Sequence, residues 1–268
     1  MILDCFMFFN ELDLLEGRLE YLYDKVDYFI IIESNITFTG NTKPLNYLKN
    51  ISRYKKYSDK IFYFPFNPDI SHLELNLDKT DPRFLNFETS PFWKIEKMQR
   101  NHIDEALKFF DPDDIVFMGD LDEIPIKTAI DAGVEQLEKK TAAAICLNQD
   151  LYFYNFSQKQ SYPSYGTIIT TNKFLQDLSS QWTRDMRSRI PQITKGGYHL
   201  SFWGNPEHIS TKIKSFSHQE FNQDQFVDTD LIKQRIETGN DPFDRNTLIK
   251  ADSDSILPEI YNIFKRYI

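Results

Sequence analysis

The chain has 268 residues, of which 41% are hydrophobic and 15% aromatic, and this composition excludes a largely disordered protein. Its formal net charge of −9 argues against a general nucleic-acid binder, because no excess of lysine and arginine exists to displace phosphate counterions. A phosphorylated small molecule is not excluded as a ligand, since it needs only a local basic pocket or a metal ion.

The first quarter of the chain alternates apolar runs with one amphipathic segment. Residues 2–9 predict a buried strand, residues 11–25 a helix with leucines on one face, and residues 26–33 a second buried strand. A polar loop is predicted at residues 34–44, and residues 60–66 predict a third strand.

The middle of the chain continues the alternation. Residues 67–90 are rich in Asp, Asn and Pro and predict a surface excursion, and residues 91–110 predict a long helix because a proline suits its first turn. An apolar strand is predicted at residues 115–120, a helix at 127–140, and one or two strands at 143–156.

The portion after residue 156 is less regular and more polar. The alternation before it indicates an α/β fold with a mainly parallel sheet, flanked by helices and followed by an irregular C-terminal elaboration. No linker composition interrupts the chain, so we expect one domain over residues 1–268.

Two further properties concern the thiols and the cellular location. Cys5 and Cys146 lie in separate apolar runs and predict buried free thiols. The chain opens directly in a strand pattern, without a basic leader or an apolar stretch of about 18 residues. We therefore expect a soluble, cytoplasmic protein with no transmembrane segment.

An acidic triplet, Asp120-Leu121-Asp122, follows the fourth predicted strand, and Pro125 ends the segment. In an extended backbone Asp120 and Asp122 project to the same side, where they repel each other unless a cation or a shared proton relieves them. Carboxylates at the end of a strand suit Mg²⁺ or Mn²⁺, which can in turn hold a diphosphate. The alternative is a solvated acidic turn.

Further polar groups stand at the ends of predicted elements. Asn10 and Glu11 follow the first strand and could bind a base or ribose, or could simply cap the helix. Glu33 ends the second strand and could reach ribose hydroxyls, or could be solvated in the loop. Arg100, followed by Asn101 on the long helix, could hold a phosphate or orient a carboxylate, or could be a surface charge.

A glycine pair, Gly196-Gly197, precedes an aromatic run that contains His199, and Glu207 follows where a helix is predicted to begin. The glycines permit close backbone approach to a ligand. His199 could ligate a metal or could be a core residue. Upstream lie three arginines that form either a local basic patch or a solvated loop: Arg184, Arg187 and Arg189.

An ordered series of motifs over roughly residues 4 to 222 resembles glycosyltransferase family 17. The motifs are DCFMFFNELDLLE (residues 4–16) with Arg18-Leu19, VDYF (26–29), ESN (33–35), TFTG (37–40), QRN (99–101), GDLDEIP (119–125), GGYHLS (196–201) and Pro206-Glu207. Gly119 departs from the Ser or Asp that many relatives carry at this position, which need not remove the metal site.

The resemblance implies a GT-A fold, UDP-GlcNAc as donor, a divalent cation (Mn²⁺, with Mg²⁺ possible) and inversion at the anomeric carbon. The best-known members are β-1,4-mannosyl-glycoprotein 4-β-N-acetylglucosaminyltransferases, whose membrane anchor this chain lacks, so a bacterial or viral enzyme that builds a surface glycan is expected. We expect residues 1–125 to form the nucleotide-sugar half and residues 126–268 the acceptor half. The predicted donor-binding residues are Asn10, Glu11, Glu33, Arg100, Asn101 and Asp120.

An inverting transfer needs a base for the acceptor hydroxyl and a Lewis acid for the leaving diphosphate. Glu207 is the predicted base, and its rivals are Asp185 and Glu123. The predicted metal ligands are Asp120, Asp122 and His199. His218 is an alternative ligand, but a helix from 207 to 218 would separate its ends by about 16 Å, which favours His199 if Glu207 is the base.

Two other function classes remain open. An Asp-based phosphohydrolase would use the acidic triplet as a nucleophile, although such a pair usually follows the first strand of a sheet and not the fourth. A non-catalytic glycan- or metal-binding module would use the aromatic residues for sugar stacking. Trapping an aspartyl-phosphate would support the first, and nucleotide release would exclude the second.

Overall fold

The structure, a computed structural model, describes residues 1–245, 247–252 and 255–268. The strands of its sheet are β1 (Ile2–Phe8), β2 (Tyr28–Ser34), β3 (Ile61–Phe66), β4 (Ile115–Asp120), β5 (Glu123–Pro125), β6 (Ala144–Phe153), β7 (Gln158–Gln160), β8 (Ser164–Thr171), β9 (Gln192–Ser201) and β10 (Leu248–Lys250).

The α-helices are α1 (Leu12–Leu22), α2 (Asn46–Lys49), α3 (Pro91–Leu107), α4 (Lys127–Glu138), α5 (Asn172–Leu178), α6 (Ser180–Asp185), α7 (Pro206–Ser215), α8 (Asp224–Val227), α9 (Thr229–Thr238) and α10 (Pro258–Phe264). A 3₁₀ segment, Ile51–Lys60, leads into β3. In the described part of the chain, no helix combines the length and the apolar character needed to cross a membrane.

The sheet divides into a parallel and a mainly antiparallel part. Strands β3, β2, β1 and β4 lie side by side in that order and are all parallel. The next strand, β8, runs antiparallel to both β4 and β6, while β9 pairs in parallel with β6 and antiparallel with β5. The predicted α/β class with a sheet flanked by helices is confirmed, and the sheet is mixed, with its parallel pairing concentrated in the N-terminal half.

Helices cover both faces of the sheet. Leu15 and Leu19 of α1, together with α4 and α10, pack on one face around Phe6 and Phe117. Ile103 of α3 and residues of α5 pack on the other face in a second buried cluster. Each of these helices therefore buries one apolar stripe against the sheet, as an amphipathic helix of a layered domain does.

The predicted elements before residue 140 are found with shifts of a few residues at their ends. The portion after residue 156 contains more regular structure than its composition predicted, including β8, β9 and α7. Cys5 and Cys146 are buried and free, as predicted.

Candidate active site

A cavity of about 660 Å³ opens at the carboxyl ends of β1 and β4. The register of these parallel strands pairs Met7 with Asp120, so the segment after β1 and the acidic triplet after β4 meet at one edge of the sheet. Open α/β sheets bind ligands at this edge. The charged and polar groups that line the cavity include Glu11, Arg100, Asp120, Asp122, Arg184 and His199.

A buried arginine holds the acidic triplet in place. Arg18 of α1 is fully buried, and its guanidinium binds both carboxylate oxygens of Asp4 in β1, at 2.7 and 2.8 Å. Its third nitrogen donates to the backbone carbonyls of Asp120, Leu121 and Glu123. Five guanidinium N–H groups in a rigid fork suit this combined task, which a lysine could not perform.

Asp120 is held between two arginines. Its Oδ1 accepts from Arg100 at 2.9 Å, and its Oδ2 accepts from Arg184 at 2.5 Å. Burial acts to raise the pKa of this carboxyl, but the Arg184 and Arg100 guanidinium groups lower it well below its ordinary value. Asp120 is therefore an anion whose two oxygens are both engaged.

Asp122 has different partners. Its Oδ2 accepts from Lys212 Nζ of α7 at 2.8 Å, and its Oδ1 lies 3.4 Å from His199 Nε2. Burial opposes ionisation, but Lys212 and His199 together lower the pKa of Asp122 well below its ordinary value. Lys212 Nζ also lies 3.4 Å from a carboxylate oxygen of Glu11, so one ammonium group links Glu11, which follows β1, to Asp122, which follows β4.

Asp120 and Asp122 both line the cavity, but they do not belong to one extended strand. Strand β4 ends at Asp120, and Asp122 lies in the tight turn before β5, so the alternation of an extended strand does not reach it. Each carboxylate is relieved by its own cations: arginines for Asp120, a lysine and a histidine for Asp122.

The donor set around Asp122 fits a divalent cation in part. Asp122 and His199 supply a carboxylate oxygen and an imidazole nitrogen at the same point, and the buried His199 Nδ1 has no partner among the described residues. Within the described part of the chain, no group of three or more acidic, His or Cys side chains could hold a metal. The residues would therefore supply only part of the ligand set of a divalent ion, and phosphate oxygens and water would complete it.

Two more predicted residues line the cavity. His218 does so, but its Nδ1 pairs with Glu220 at 2.7 Å, and it follows α7, which ends at Ser215. Arg187 lines the cavity, and its side chain makes no recorded hydrogen bond or ion pair among the described residues; its pKa is lowered by the neighbouring Arg184 guanidinium and by burial. Of Arg184, Arg187 and Arg189, only Arg189 is absent from the described lining of the cavity.

Glu33 is fully buried and has a structural role that differs from the predicted donor contact. Its carboxylate accepts from Lys43 Nζ at 3.0 Å, from Tyr63 Oη at 2.9 Å, and from the backbone N–H groups of Asn46 and Tyr47. These bonds use both oxygens and tie the loop after β2 to the start of α2. Glu33 is absent from the described lining of the cavity.

Three further predicted residues are absent from the described lining of the cavity: Asn10, Asn101 and Glu207. Asn101 accepts a bond from the backbone N–H of Gln181, at 2.9 Å, and so fixes α6 against α3. Glu207 is exposed in the first turn of α7, and its carboxylate has no recorded hydrogen bond or ion pair among the described residues. The rival base Glu123 is fully buried and paired with Arg184 at 2.9 Å.

At Gly197 and Gly119, packing against neighbouring residues leaves no room for a side chain. A Cβ at Gly197 would collide with the carbonyl oxygen of Ile124, because β9 lies tightly against β5. A Cβ at Gly119 would lie 2.7 Å from Glu123 Oε2 and 2.8 Å from Thr167 Oγ1. The absent side chain at position 119 therefore leaves room for the Glu123 carboxylate behind the acidic triplet.

Two site residues had no sequence signal that singled them out. Arg18 occurs in the sequence only as part of the first family motif, and Lys212 is one of two lysines on an ordinary amphipathic helix. The helical spacing from Pro206 could have placed Lys212 on a definite face of α7, but the partner of that face depends on the tertiary fold.

The profile of the family described as Glycosyltransferase family 17 matches residues 1–248 of the chain. No curated protein matches it. Three solved structures are similar. S. aureus TarS 1-349 in complex with UDP-GlcNAc has 12% identity, covers 88% of this chain and 72% of that one, and gives a TM-score of 0.41.

The galactosyltransferase LgtC in complex with donor and acceptor sugar analogues has 11% identity and a TM-score of 0.36, covering 82% of this chain and 80% of that one. A 4-diphosphocytidyl-2C-methyl-D-erythritol synthase has 12% identity and a TM-score of 0.40, and the match covers 73% of this chain and 88% of that one. These scores are too low for any of the three to indicate a shared substrate.

Proposed function

Because the chain belongs to glycosyltransferase family 17, and is therefore an enzyme of sugar transfer, we propose that it is an inverting, metal-dependent transferase. The proposed reaction moves N-acetylglucosamine from UDP-GlcNAc to a hydroxyl of a glycan. The single observation that supports this most directly is a cavity at the end of β1 and β4 whose charged groups suit a nucleoside diphosphate sugar.

The size and the charges of the cavity support a nucleotide-sugar donor. Its volume of about 660 Å³ lies in the range of sites for ligands of that size. Arg187 and Lys212 present cationic groups to the cavity, and Arg187 has no carboxylate partner among the described residues. A diphosphate would relieve the repulsion between Arg187 and Arg184, so we assign the phosphates to this end. The choice of GlcNAc follows from the family resemblance.

A divalent cation would be held by Asp122 and His199. Bound there, it would supply Lewis-acid stabilisation of the negative charge that develops on the departing diphosphate. Asp120 would contribute indirectly, because its carboxylate holds the guanidinium groups of Arg100 and Arg184 in fixed orientations. Lys212 binds Oδ2 of Asp122, whereas His199 faces Oδ1, so the lysine can stay paired while Oδ1 would be available to a cation.

The same geometry argues against an Asp-based phosphohydrolase. A nucleophilic carboxylate needs a free oxygen, whereas both oxygens of Asp120 are bound to guanidinium groups. Asp122 is in turn bound to Lys212. Ion pairing of this kind stabilises the carboxylate and makes it a weaker nucleophile.

The proposal is tested by nucleotide release from a panel of UDP-GlcNAc, UDP-GalNAc, UDP-glucose, UDP-galactose, GDP-mannose and CMP-sialic acid. Water and a set of N-glycan-type oligosaccharides serve as acceptors, and each assay is run with Mn²⁺ and with EDTA. We expect UDP release from UDP-GlcNAc that needs Mn²⁺ and increases with a suitable oligosaccharide. Absence of nucleotide release from every donor would contradict the proposed function.

The metal assignment has its own variant. Asp122→Ala removes the carboxylate that His199 faces, so Mn²⁺-dependent turnover should fall by at least about 10²-fold, while the thermal unfolding midpoint stays within a few degrees. Asp113→Asn, an exposed carboxylate before β4, is the matched control. Unchanged Mn²⁺-dependent turnover in Asp122→Ala would exclude this metal site.

A further inference from the structure

Five carboxylates are found in the described lining of the cavity: Glu11, Glu96, Asp120, Asp122 and Asp185. The first four each lie between 2.5 and 3.4 Å from a lysine or arginine nitrogen. Asp185 differs, because no ion pair is recorded for it among the residues that the structure describes. The described lining therefore contains one carboxylate whose charge is not neutralised by a direct ion pair.

Cation pairing decides which carboxylate can accept a proton. A nearby lysine or arginine stabilises the anionic form and weakens its affinity for a proton, as the lowered pKa values of Asp120 and Asp122 show. A general base must take a proton from a hydroxyl in the transition state, so a strongly ion-paired carboxylate is unsuited to the task. Asp185 has no such ion pair among the described residues.

A neutral amide holds Asp185 in position. Gln181 Nε2 donates to Asp185 Oδ1 at 2.8 Å, and Gln181 Oε1 accepts from Arg100 Nε at 3.0 Å. Because a guanidinium can only donate, Arg100 fixes the amide with its oxygen inwards and its NH₂ group towards Asp185. The backbone N–H of Gln181 is itself held by Asn101.

This arrangement leaves the second oxygen of Asp185 available. No hydrogen bond to Oδ2 is recorded among the described residues, and the side chain is exposed at the end of α6, on the wall of the cavity. Glu207 and Glu123 lack these properties. Glu207 lies outside the lining, and Glu123 is fully buried behind it.

We infer that Asp185 is the general base of the proposed sugar transfer and that Gln181 is its positioning residue. The inference rests on the proposed function. Asp185 takes the proton of the acceptor hydroxyl as that oxygen forms a bond to the anomeric carbon. The bond from the anomeric carbon to the phosphate oxygen breaks, its electron pair leaves with the nucleoside diphosphate, and the configuration is inverted.

The decisive variant is Asp185→Asn, which preserves shape and removes the base. Transfer from UDP-GlcNAc should fall by about 10²–10⁴-fold, whereas UDP affinity, measured by calorimetry, should change less than about twofold. The matched control is Asp177→Asn, an exposed carboxylate on the neighbouring α5 that lies outside the cavity lining and should transfer normally. Glu207→Gln is made in parallel as the competing assignment.

The pH profile separates a base from a merely structural residue. In the wild-type enzyme the turnover number should fall on the acid side as the base becomes protonated, and the residual rate of Asp185→Asn should lack that limb. Asp185→Glu should recover part of the rate together with the limb. Gln181→Leu should lower turnover without abolishing the limb, because the carboxylate remains.

The outcomes distinguish the two levels of the proposal. If the wild-type enzyme transfers sugar and Asp185→Asn does so at a similar rate, the assignment of the base is wrong and the proposed function stands. The assignment is equally wrong if Glu207→Gln, and not Asp185→Asn, loses transfer. If the wild-type enzyme releases no nucleotide from any donor, the proposed function fails, and the assignment of Asp185 fails with it.

Discussion

At the scale of single residues, Arg18 joins parts of the chain that are about a hundred positions apart. It binds Asp4 in β1 and the carbonyl groups after β4, and both members of the ion pair are fully buried. A buried pair of this kind need not add stability relative to apolar residues, but the removal of one partner leaves an uncompensated charge. The main contribution of Arg18 is therefore to fix the position of the backbone at the end of β4 and in the turn that follows it.

We expect Arg18→Met to lower the free energy of unfolding by about 3–5 kcal/mol, because Asp4 is left buried without its cation. The double variant Asp4→Leu/Arg18→Met should recover much of this loss, since both charges are removed together. It should still transfer sugar poorly, because the carbonyls of Asp120, Leu121 and Glu123 lose the bonds from Arg18 that fix this segment. Urea unfolding and nucleotide release measure the two effects, and wild-type transfer by the double variant would contradict the positioning role.

The sequence identifies residues that belong to the site more readily than it identifies the contacts that these residues make. Asp120, Asp122, Arg100, Glu11 and His199 were predicted for the site and all line the cavity. Lys212 could not be predicted, because nothing in the sequence of α7 shows that it packs beside the acidic triplet. Glu33 was assigned to the ligand because the sequence does not show that the loop after β2 folds back and uses the carboxylate.

At the scale of elements, α6 carries the proposed base, and its position depends on α3. The backbone N–H and hydroxyl of Ser180, at the start of α6, donate to Asp104 of α3. The bond from Gln181 to Asn101 is the second link between these helices. A short helix of six residues has little stability alone, so these tertiary bonds determine where Asp185 lies.

Burial raises the pKa of Asp104 above its ordinary value of 3.8, although its bonds from Ser180 act in the opposite direction. A carboxyl with a raised folded pKa contributes stability that is fully present below its ordinary pKa and is lost as pH rises through the folded value. Asp104→Asn cannot titrate. As pH rises from below this ordinary pKa through the raised folded value, the free energy of unfolding of the wild-type enzyme should therefore fall relative to that of Asp104→Asn.

Thermal unfolding at a series of pH values measures this difference. Asp113→Asn, an exposed carboxylate before β4, serves as the control and should follow the wild-type curve. Parallel curves for the wild type and Asp104→Asn would show that the Asp104 carboxyl is not destabilised by burial.

The elements of the N-terminal half were the most predictable from the sequence. Buried parallel strands such as β1, β2 and β4 are continuous apolar runs, and α1 and α3 are long enough for their periodicity to be clear. In the C-terminal half, β9 begins with exposed residues and the helices are short. Their stability comes from tertiary pairing, which a local pattern does not contain.

At the scale of the whole molecule, the cavity lies between the two parts of the sheet. The parallel part supplies Glu11 and Asp120, and the segments around the antiparallel part supply Arg184, His199 and Lys212. The predicted division at residue 125 into donor and acceptor halves remains a prediction. The acidic triplet itself is paired with residues from both sides of that boundary.

The Arg18 anchor has a consequence for how the molecule opens. A loop and a helix that share one buried cation should exchange their amide hydrogens as a single cooperative unit. Binding of UDP with Mn²⁺ at the 120–123 loop should therefore slow exchange in the second half of α1, around Leu19 and Leu22, where no ligand contact is expected. Helix α9 should be unaffected, and Arg18→Met should abolish the effect on α1 while UDP still protects the loop.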